Sequence, residues 1–499
     1  MSTAQSLLDN MTTPLALDQP PSPVRSEQGR RHRLVEVFAG IGFVAGWLII
    51  GFMLELGFVG FVVLTVPLLA AFQTLVRHRS LRSLLARDTN SFARRWPGKV
   101  LVAAVLIAIP ATMVLLSLSG GGGGRYADDS WKALLMFVVL ATSYLASRRL
   151  LLTVLIGTLT VSVASWVLAP NLASTRNGDR TVLAHLDNQA SMGMLAGHHS
   201  VAVAEIDLDT AQPVRLAGIG ADETTLMEVG SITKAMTGLV IADAVSRGEI
   251  RMDAPVSTYL PQLKGSPAGA ATMHELVTHT SGYAEFGGAT MRSAAWKAPL
   301  GQNFWTADSA QMTQETLDQT LTSRGSFAYS TLGSAIAGQA VAAAAHISYA
   351  DLMRTRLFEP LGMTHTSIQE DQALVEGGQS ESGLPVQPWV MSAYAPGAAA
   401  VSTTGDLAKL ATALLDETAP GMAALEPTTS TDLSNTRIGD FWQTSTWETG
   451  QTITSHGGQT GGYAAYLGLD RPRHKAIIVL SDVANDASDL GTQLLADRE

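Results

Sequence analysis

The chain has 499 residues, 46% of them hydrophobic, no cysteine, and a formal net charge of −10. Without cysteine it can form no disulfide, thiolate metal site or cysteine nucleophile. The charge is unevenly spread: residues 1–170 hold 15 Lys and Arg against 8 Asp and Glu (net +7), and residues 171–499 hold 18 against 35 (net −17), so the large acidic part repels phosphate and nucleic acid is excluded as its partner.

Residues 1–33 are polar, rich in Ser, Pro and Thr, and end in Arg30-Arg31-His32-Arg33, the composition of a disordered cytoplasmic tail. A transmembrane region is expected over 34–170, with spans near 37–54, 57–76, 100–118, 131–147 and 150–169. Each approaches the roughly 20 residues that cross a bilayer. Positive charge sets the orientation. The tail, the segment carrying Arg77, Arg79, Arg82, Arg87, Arg94, Arg95 and Lys99, and the Arg148-Arg149 pair all fall on one side of a five-span arrangement, the cytoplasmic side. The connectors at Glu55-Leu56-Gly57 and Gly120–Ser130 carry little positive charge and fall outside. Five crossings export residues 171–499, so the expected location is a bacterial-type cell membrane, multi-pass, with a cytoplasmic N-terminus and an extracytoplasmic C-terminal domain. Glu36 and Glu55 lie at span ends, so the spans read as a lipid-embedded anchor and not as an ion path.

Residues 171–188 read as a polar linker and 189–499 as the exported domain. Residues 201–208 and 213–219 read as two strands joined by a turn. From Ser231 to Arg247, Ile232, Met236, Leu239, Val240, Ala244 and Val245 recur at helical spacing. The same segment opens with Ser231-Ile232-Thr233-Lys234, and among the seven lysines Lys234 alone has a serine three residues before it. Residues i and i+3 of a helix share a face, so the Lys234 amine can reach the Ser231 hydroxyl from its own helix. A helix N-terminus also favours developing negative charge. Late in the chain, 462–469 and 474–481 read as strands and 484–496 as a terminal helix. Strands early, helices central and strands late give an α/β domain, an antiparallel sheet flanked by helices, with a mostly helical lobe from roughly 250 to 430.

Further segments stand beside the S-x-x-K. Glu228-Val229-Gly230-Ser231-Ile232-Thr233-Lys234, Thr278-His279-Thr280-Ser281-Gly282, Pro360-Leu361-Gly362-Met363 and Val401-Ser402-Thr403-Thr404-Gly405-Asp406-Leu407 occur in that order. Together they resemble the serine β-lactamase and penicillin-binding-protein superfamily, in its class C-like branch, over about residues 190–499. The resemblance implies a covalent serine hydrolase with Ser231 as nucleophile and Lys234 beside it. It implies a proton shuttle at Tyr329, where Tyr329-Ser330-Thr331 stands in the place of a Y-x-N motif. A phenol of reference pKa near 10 acts as a base near neutrality only when held close to the lysine's charge, so the two are expected to work as a pair. Thr331 replaces the family asparagine and offers one hydroxyl donor in place of an amide. His456-Gly457-Gly458 fills the place of K-T-G, with His456 assisting proton transfer or hydrogen-bonding. Gly458 lets a substrate approach the backbone. The amides of Ser231 and Gln459 are implied as the oxyanion hole, a device worth ~3–4 kcal/mol per donor.

No metal-ligand spacing occurs, since His274-Glu275 has Thr278 where a second histidine would stand, and no cofactor is expected. His274 and His279 read as structural. The expected function is extracytoplasmic hydrolysis of an amide, peptide or ester through an acyl-enzyme, with cell-envelope peptides suggested by location. Peptidase and esterase stand side by side, because both use the same acyl-enzyme. True β-lactamase activity is disfavoured, because histidine at 456 is mostly neutral where K-T-G enzymes hold a permanent charge. A membrane-tethered sensor, acylated slowly or not at all, is the alternative of a different class.

Overall fold

The computed structural model describes residues 170–447 and 450–496. The tail and the five expected spans lie outside them. Among the described residues no helix is long and apolar enough to cross a membrane.

The domain begins earlier than its sequence suggests. Residues 171–188, expected as a linker, hold the short strand β1 (Arg176–Gly178) and the start of the helix Arg180–Ser191. Asp179 caps that helix by accepting hydrogen bonds from the amides of Thr181 and Val182. Val182 and Leu186, one helical turn apart, are buried on the sheet, which is why so polar a segment is folded and not a tether.

The expected strands follow as β2 (Val201–Asp207) and β3 (Val214–Ile219). Near the end of the chain come β10 (Thr452–Gln459), β11 (Ala464–Asp470) and β12 (Lys475–Ser481), then the helix Ser488–Ala496. With the short strands β7 (Thr429–Ser430), β8 (Thr436–Ile438) and β9 (Gln443–Thr446) they form a nine-stranded sheet in the order β1-β3-β2-β12-β11-β10-β9-β8-β7. Every pairing in it is antiparallel. Successive side chains take opposite faces: Val201 and Val203 join the helices Arg180–Ser191 and Ser488–Ala496, while Ala202, Ala204 and Ile206 join the nucleophile helix. Both faces are covered, so β2 and β12 read as apolar runs more than as strict alternation.

The helix Ile232–Ser246 lies behind the sheet with Ile232 to Ala244 all buried. A helix apolar on every side belongs at the centre of a domain. A second such helix, Thr331–Ala345, rich in Ala and Gly, belongs to the helical lobe. That lobe also holds a small sheet in the order β4-β6-β5, made of β4 (Met227–Glu228), β5 (Ser367–Ile368) and β6 (Ala400–Ser402). Pairing of Met227 with Ser402 and of Glu228 with Val401 fixes the chain just ahead of Ser231. Two of the resemblance segments meet here: Lys409 Nζ donates to the Gly362 carbonyl, 2.6 Å away, and to Asp406, whose carboxylate also accepts from the His365 amide.

Candidate active site

Ser231 precedes the first turn of its helix and caps none of its amides, so its hydroxyl is available to other partners. Two reach it. Lys234 Nζ lies 3.0 Å from Ser231 Oγ, and the Tyr329 hydroxyl donates to the same oxygen from 2.8 Å. The lysine is fully buried, donates to the Gly397 carbonyl at 2.8 Å and sits 4.8 Å from the centroid of the Tyr329 ring. Burial pulls its amine down to about 7, with the charge of Glu285 acting in the opposite sense. A substantial fraction of the amine is therefore unprotonated at neutral pH.

The tyrosine moves the other way. Enclosure pushes the Tyr329 phenol above its ordinary value, outweighing its bond to Ser231. The sequence reading wanted a phenol drawn down towards neutrality by a charged lysine; here the lysine is the group brought to neutrality and the phenol stays protonated. The physical reason is desolvation, which disfavours the charged form of each.

Strand β10, whose His456–Gln459 end runs on past its pairing with β9, passes close to Ser231. A Cβ on Gly458 would fall 2.0 Å from the Val229 carbonyl oxygen and 3.2 Å from the Ser231 amide. Gly230, at φ +51°, would place a Cβ 2.6 Å from the Gln459 amide. Both positions need glycine, and their bareness brings the amides of Ser231 and Gln459 into one neighbourhood. The Gln459 side chain is occupied elsewhere, donating to the Ala484 carbonyl.

His456 lies 5% exposed on this strand, with Nδ1 2.6 Å from the Gly457 carbonyl. That bond assigns the proton to Nδ1 and leaves the lone pair on Nε2. Burial, opposed by the bond to Gly457 and reinforced by Lys234, lowers the ring to about 4, so it is neutral in the ordinary range. Thr331 starts the helix after Tyr329; its amide donates to the Glu285 carbonyl and its methyl faces Gly397. Among the described residues its hydroxyl has no hydrogen bond to Ser231 or Lys234. Ser231, Lys234, Tyr329, His456, Gly458 and Gln459 are thus gathered at one place, with Thr331 at its edge making a different contact from the family asparagine.

Three contributors were not evident from the sequence. The Gly397 carbonyl holds the lysine, and Glu285 supplies an opposing charge. His279, read as structural, touches Tyr329 ring to ring at 4.6 Å. The signal for His279 was its place in the Thr278–Gly282 segment, which carries the resemblance without declaring what the histidine does. Beyond Gln459, Gly461 lies against Trp389, which joins Phe286, Phe304, Trp305 and Tyr394 in an aromatic cluster. Among the described residues no group of three or more His, Cys, Asp or Glu could hold a metal ion.

A serine at the mouth of a core helix, a lysine one turn on and a tyrosine from the helical lobe define a class, the two-lobed serine hydrolases. The sequence profile of the Beta-lactamase family matches residues 188–498, and the chain belongs to that family. It is similar to a Beta-lactamase of Escherichia coli (strain K12), 28% identical over 208 residues, which are 41% of this chain and 49% of that one. It is also similar to Penicillin-binding protein 4 of Amycolatopsis lactamdurans, 25% identical over 280 residues, 51% of this chain and 71% of the other. The chain thus spans about half the length of the first relative. A solved class C beta-lactamase shares the fold with a TM-score of 0.55 at 18% identity, over 64% of this chain and 97% of that one.

Proposed function

We propose that this protein is a membrane-anchored, extracytoplasmic serine hydrolase that opens amide, peptide or ester bonds through an acyl-enzyme on Ser231. The observation that carries the reading is the contact of Ser231 Oγ with both Lys234 Nζ and the Tyr329 hydroxyl, beside an amine poised near neutrality. The unprotonated amine takes the serine proton as Oγ attacks the substrate carbonyl carbon. The tetrahedral oxyanion then faces the amides of Ser231 and Gln459. As the carbon–nitrogen or carbon–oxygen bond breaks, the Tyr329 hydroxyl passes a proton to the leaving group and is replenished from the Lys234 ammonium through the hydrogen-bonded group. Water then attacks the ester, loses its proton to the same pair, and releases the acid with Ser231 restored.

His456, Gly458 and Thr331 would line the substrate cleft. A neutral histidine at 456 offers no permanent partner for a substrate carboxylate, so β-lactam turnover is expected to be weak. The similarity to a penicillin-binding protein supports a cell-envelope peptide as substrate, and the aromatic cluster beside Gly461 suits an apolar acyl group. The replaced asparagine at 331 favours one second reading, a tethered receptor that is acylated but released slowly.

Intact mass of the full-length protein after exposure to a fluorophosphonate and, separately, to penicillin tests these readings. A stoichiometric fluorophosphonate adduct absent from Ser231→Ala is expected. A persistent penicillin adduct would favour the receptor or a peptidase over an esterase, and no adduct with either probe would overturn the hydrolase. The anchor, with five spans in lipid, is tested by protease access to residues 171–499 from outside the cell; protection there would overturn export.

A further inference from the structure

His279 contacts the chain on both sides of Tyr329. Its carbonyl oxygen accepts from the Ala328 amide at 2.7 Å, and its ring Nδ1 accepts from the Ser330 amide at 3.2 Å. Between those two bonds the imidazole lies against the phenol ring, centroids 4.6 Å apart and planes tilted by 39°. Three contacts from one residue therefore constrain the backbone before Tyr329, the backbone after it and the aromatic ring.

The turn that presents the imidazole is equally determined. The helix Met273–Val277 ends at Thr278, and His279 follows at φ +57°, a left-handed conformation that histidine and asparagine adopt more readily than most side chains. The Thr280 amide closes the turn onto the Glu275 carbonyl at 2.8 Å. The ring is then enclosed, 1% exposed, with Phe441 5.3 Å and Phe327 5.9 Å away. Because Nδ1 accepts a hydrogen bond, the ring proton is assigned to Nε2 and the imidazole is neutral. Lys234, His456 and Tyr329 are the titratable groups around it; burial keeps it neutral, and any proton held by Lys234 or His456 acts in the same sense. A protonated ring would have to donate at Nδ1 and would lose Ser330.

We propose that His279 is the positioning residue of the site, holding the Tyr329 hydroxyl at hydrogen-bonding distance from Ser231 through the bonds to Ala328 and Ser330 and the ring contact between them. This rests on the hydrolase reading above, in which Tyr329 moves a proton. Proton transfer demands close placement, and a displacement of ~1 Å costs on the order of 10²-fold in rate. Nothing in the role requires His279 to touch substrate.

The test is a double-mutant cycle on the full-length protein, scored by the rate of fluorophosphonate labelling of Ser231 and by kcat and KM on any ester that the wild type turns over. His279→Phe keeps an aromatic ring against Tyr329 but cannot accept from Ser330, and should label on the order of 10²-fold more slowly. His279→Asn keeps an acceptor near Nδ1 and tolerates the left-handed backbone, so it should recover most of that loss. In a Tyr329→Phe background, His279→Phe should cost little more, because the group that it places is already gone. Losses that multiply in the double variant would overturn the proposal, as would full-rate labelling of His279→Phe. Melting curves accompany every variant; if His279→Phe does not fold, His279→Gln enters the same cycle and is judged by the same two criteria. Wild-type protein that never labels at Ser231 would instead overturn the hydrolase reading, so the two failures are distinct.

Discussion

The two walls of the site are built on different principles. On the helix side, Ser231, Lys234 and Tyr329 are joined by hydrogen bonds of 2.8 to 3.0 Å, and the lysine is held from behind by Gly397. On the strand side, His456 turns its one proton to its own neighbour's carbonyl, and the two glycines after it contribute only backbone. On the proposed reading the proton-moving groups are side chains from two segments far apart in sequence, braced by a backbone carbonyl from a third, whereas the substrate-facing groups are amides whose position the sheet sets. The contrast teaches that, on that reading, Ser231 meets its proton acceptor without any fixed positive charge on the opposite wall.

Four changes would break or sharpen that contrast. Ser231→Ala should abolish labelling by acylating and phosphonylating probes, measured by intact mass. Lys234→Met removes the proton acceptor and should slow labelling by roughly 10²–10⁴-fold, the usual range for a positioned acid or base. The same substitution has a signed effect on stability. Lys234 is lowered from 10.5 to about 7, so between those values the unfolded chain binds the extra proton and stability rises with pH; the burial cost is felt in full below about 7. Lys234→Met should therefore raise the melting temperature more at pH 6 than at pH 9, and an equal change at both would contradict a buried, depressed amine.

In the wild type the labelling rate should rise with pH about a midpoint near 7, where the lysine amine loses its proton. No further limb is expected from His456 between pH 5 and 8, since its ring is held near 4. Gly458→Val forces a side chain to within 2.0 Å of the Val229 carbonyl, so the two walls must part. Overpacking of this kind costs about 1–3 kcal/mol, read as a lower melting temperature together with slower labelling. The smallest change is His456→Lys, which adds a charge near Lys234 and should move the labelling midpoint to lower pH by a fraction of a unit; a midpoint that stays put would mean that the two walls are electrically independent.

The contact between Ser231 and Lys234 was legible because their relation is local, one helical turn. The central strands were legible from their apolar runs, and the observed bounds agree with the expected ones to within about two residues, apart from the terminal helix, which begins four residues later than expected. The helix Arg180–Ser191 was missed because its two buried apolar residues, Val182 and Leu186, are too few to set a period among polar neighbours. Gly397 and Lys234 are 163 positions apart, and no periodicity reports a bond of that kind. The protonation states of Tyr329 and Lys234 were also not readable, since they depend on enclosure from several segments at once.

The order of the large sheet carries a consequence for synthesis. β12, residues 475–481, lies in the middle of the sheet and pairs with β2, residues 201–207, so the centre of this layer joins its first long strand to its last. A ribosome delivers those strands many seconds apart at ~5–20 residues per second. Until the last arrives, β2 has an unpaired edge and the nucleophile helix lacks half of its floor. The emerging polypeptide must therefore be kept from pairing that edge with other chains, and a message truncated just before residue 475 would yield a domain missing its middle and not merely its end.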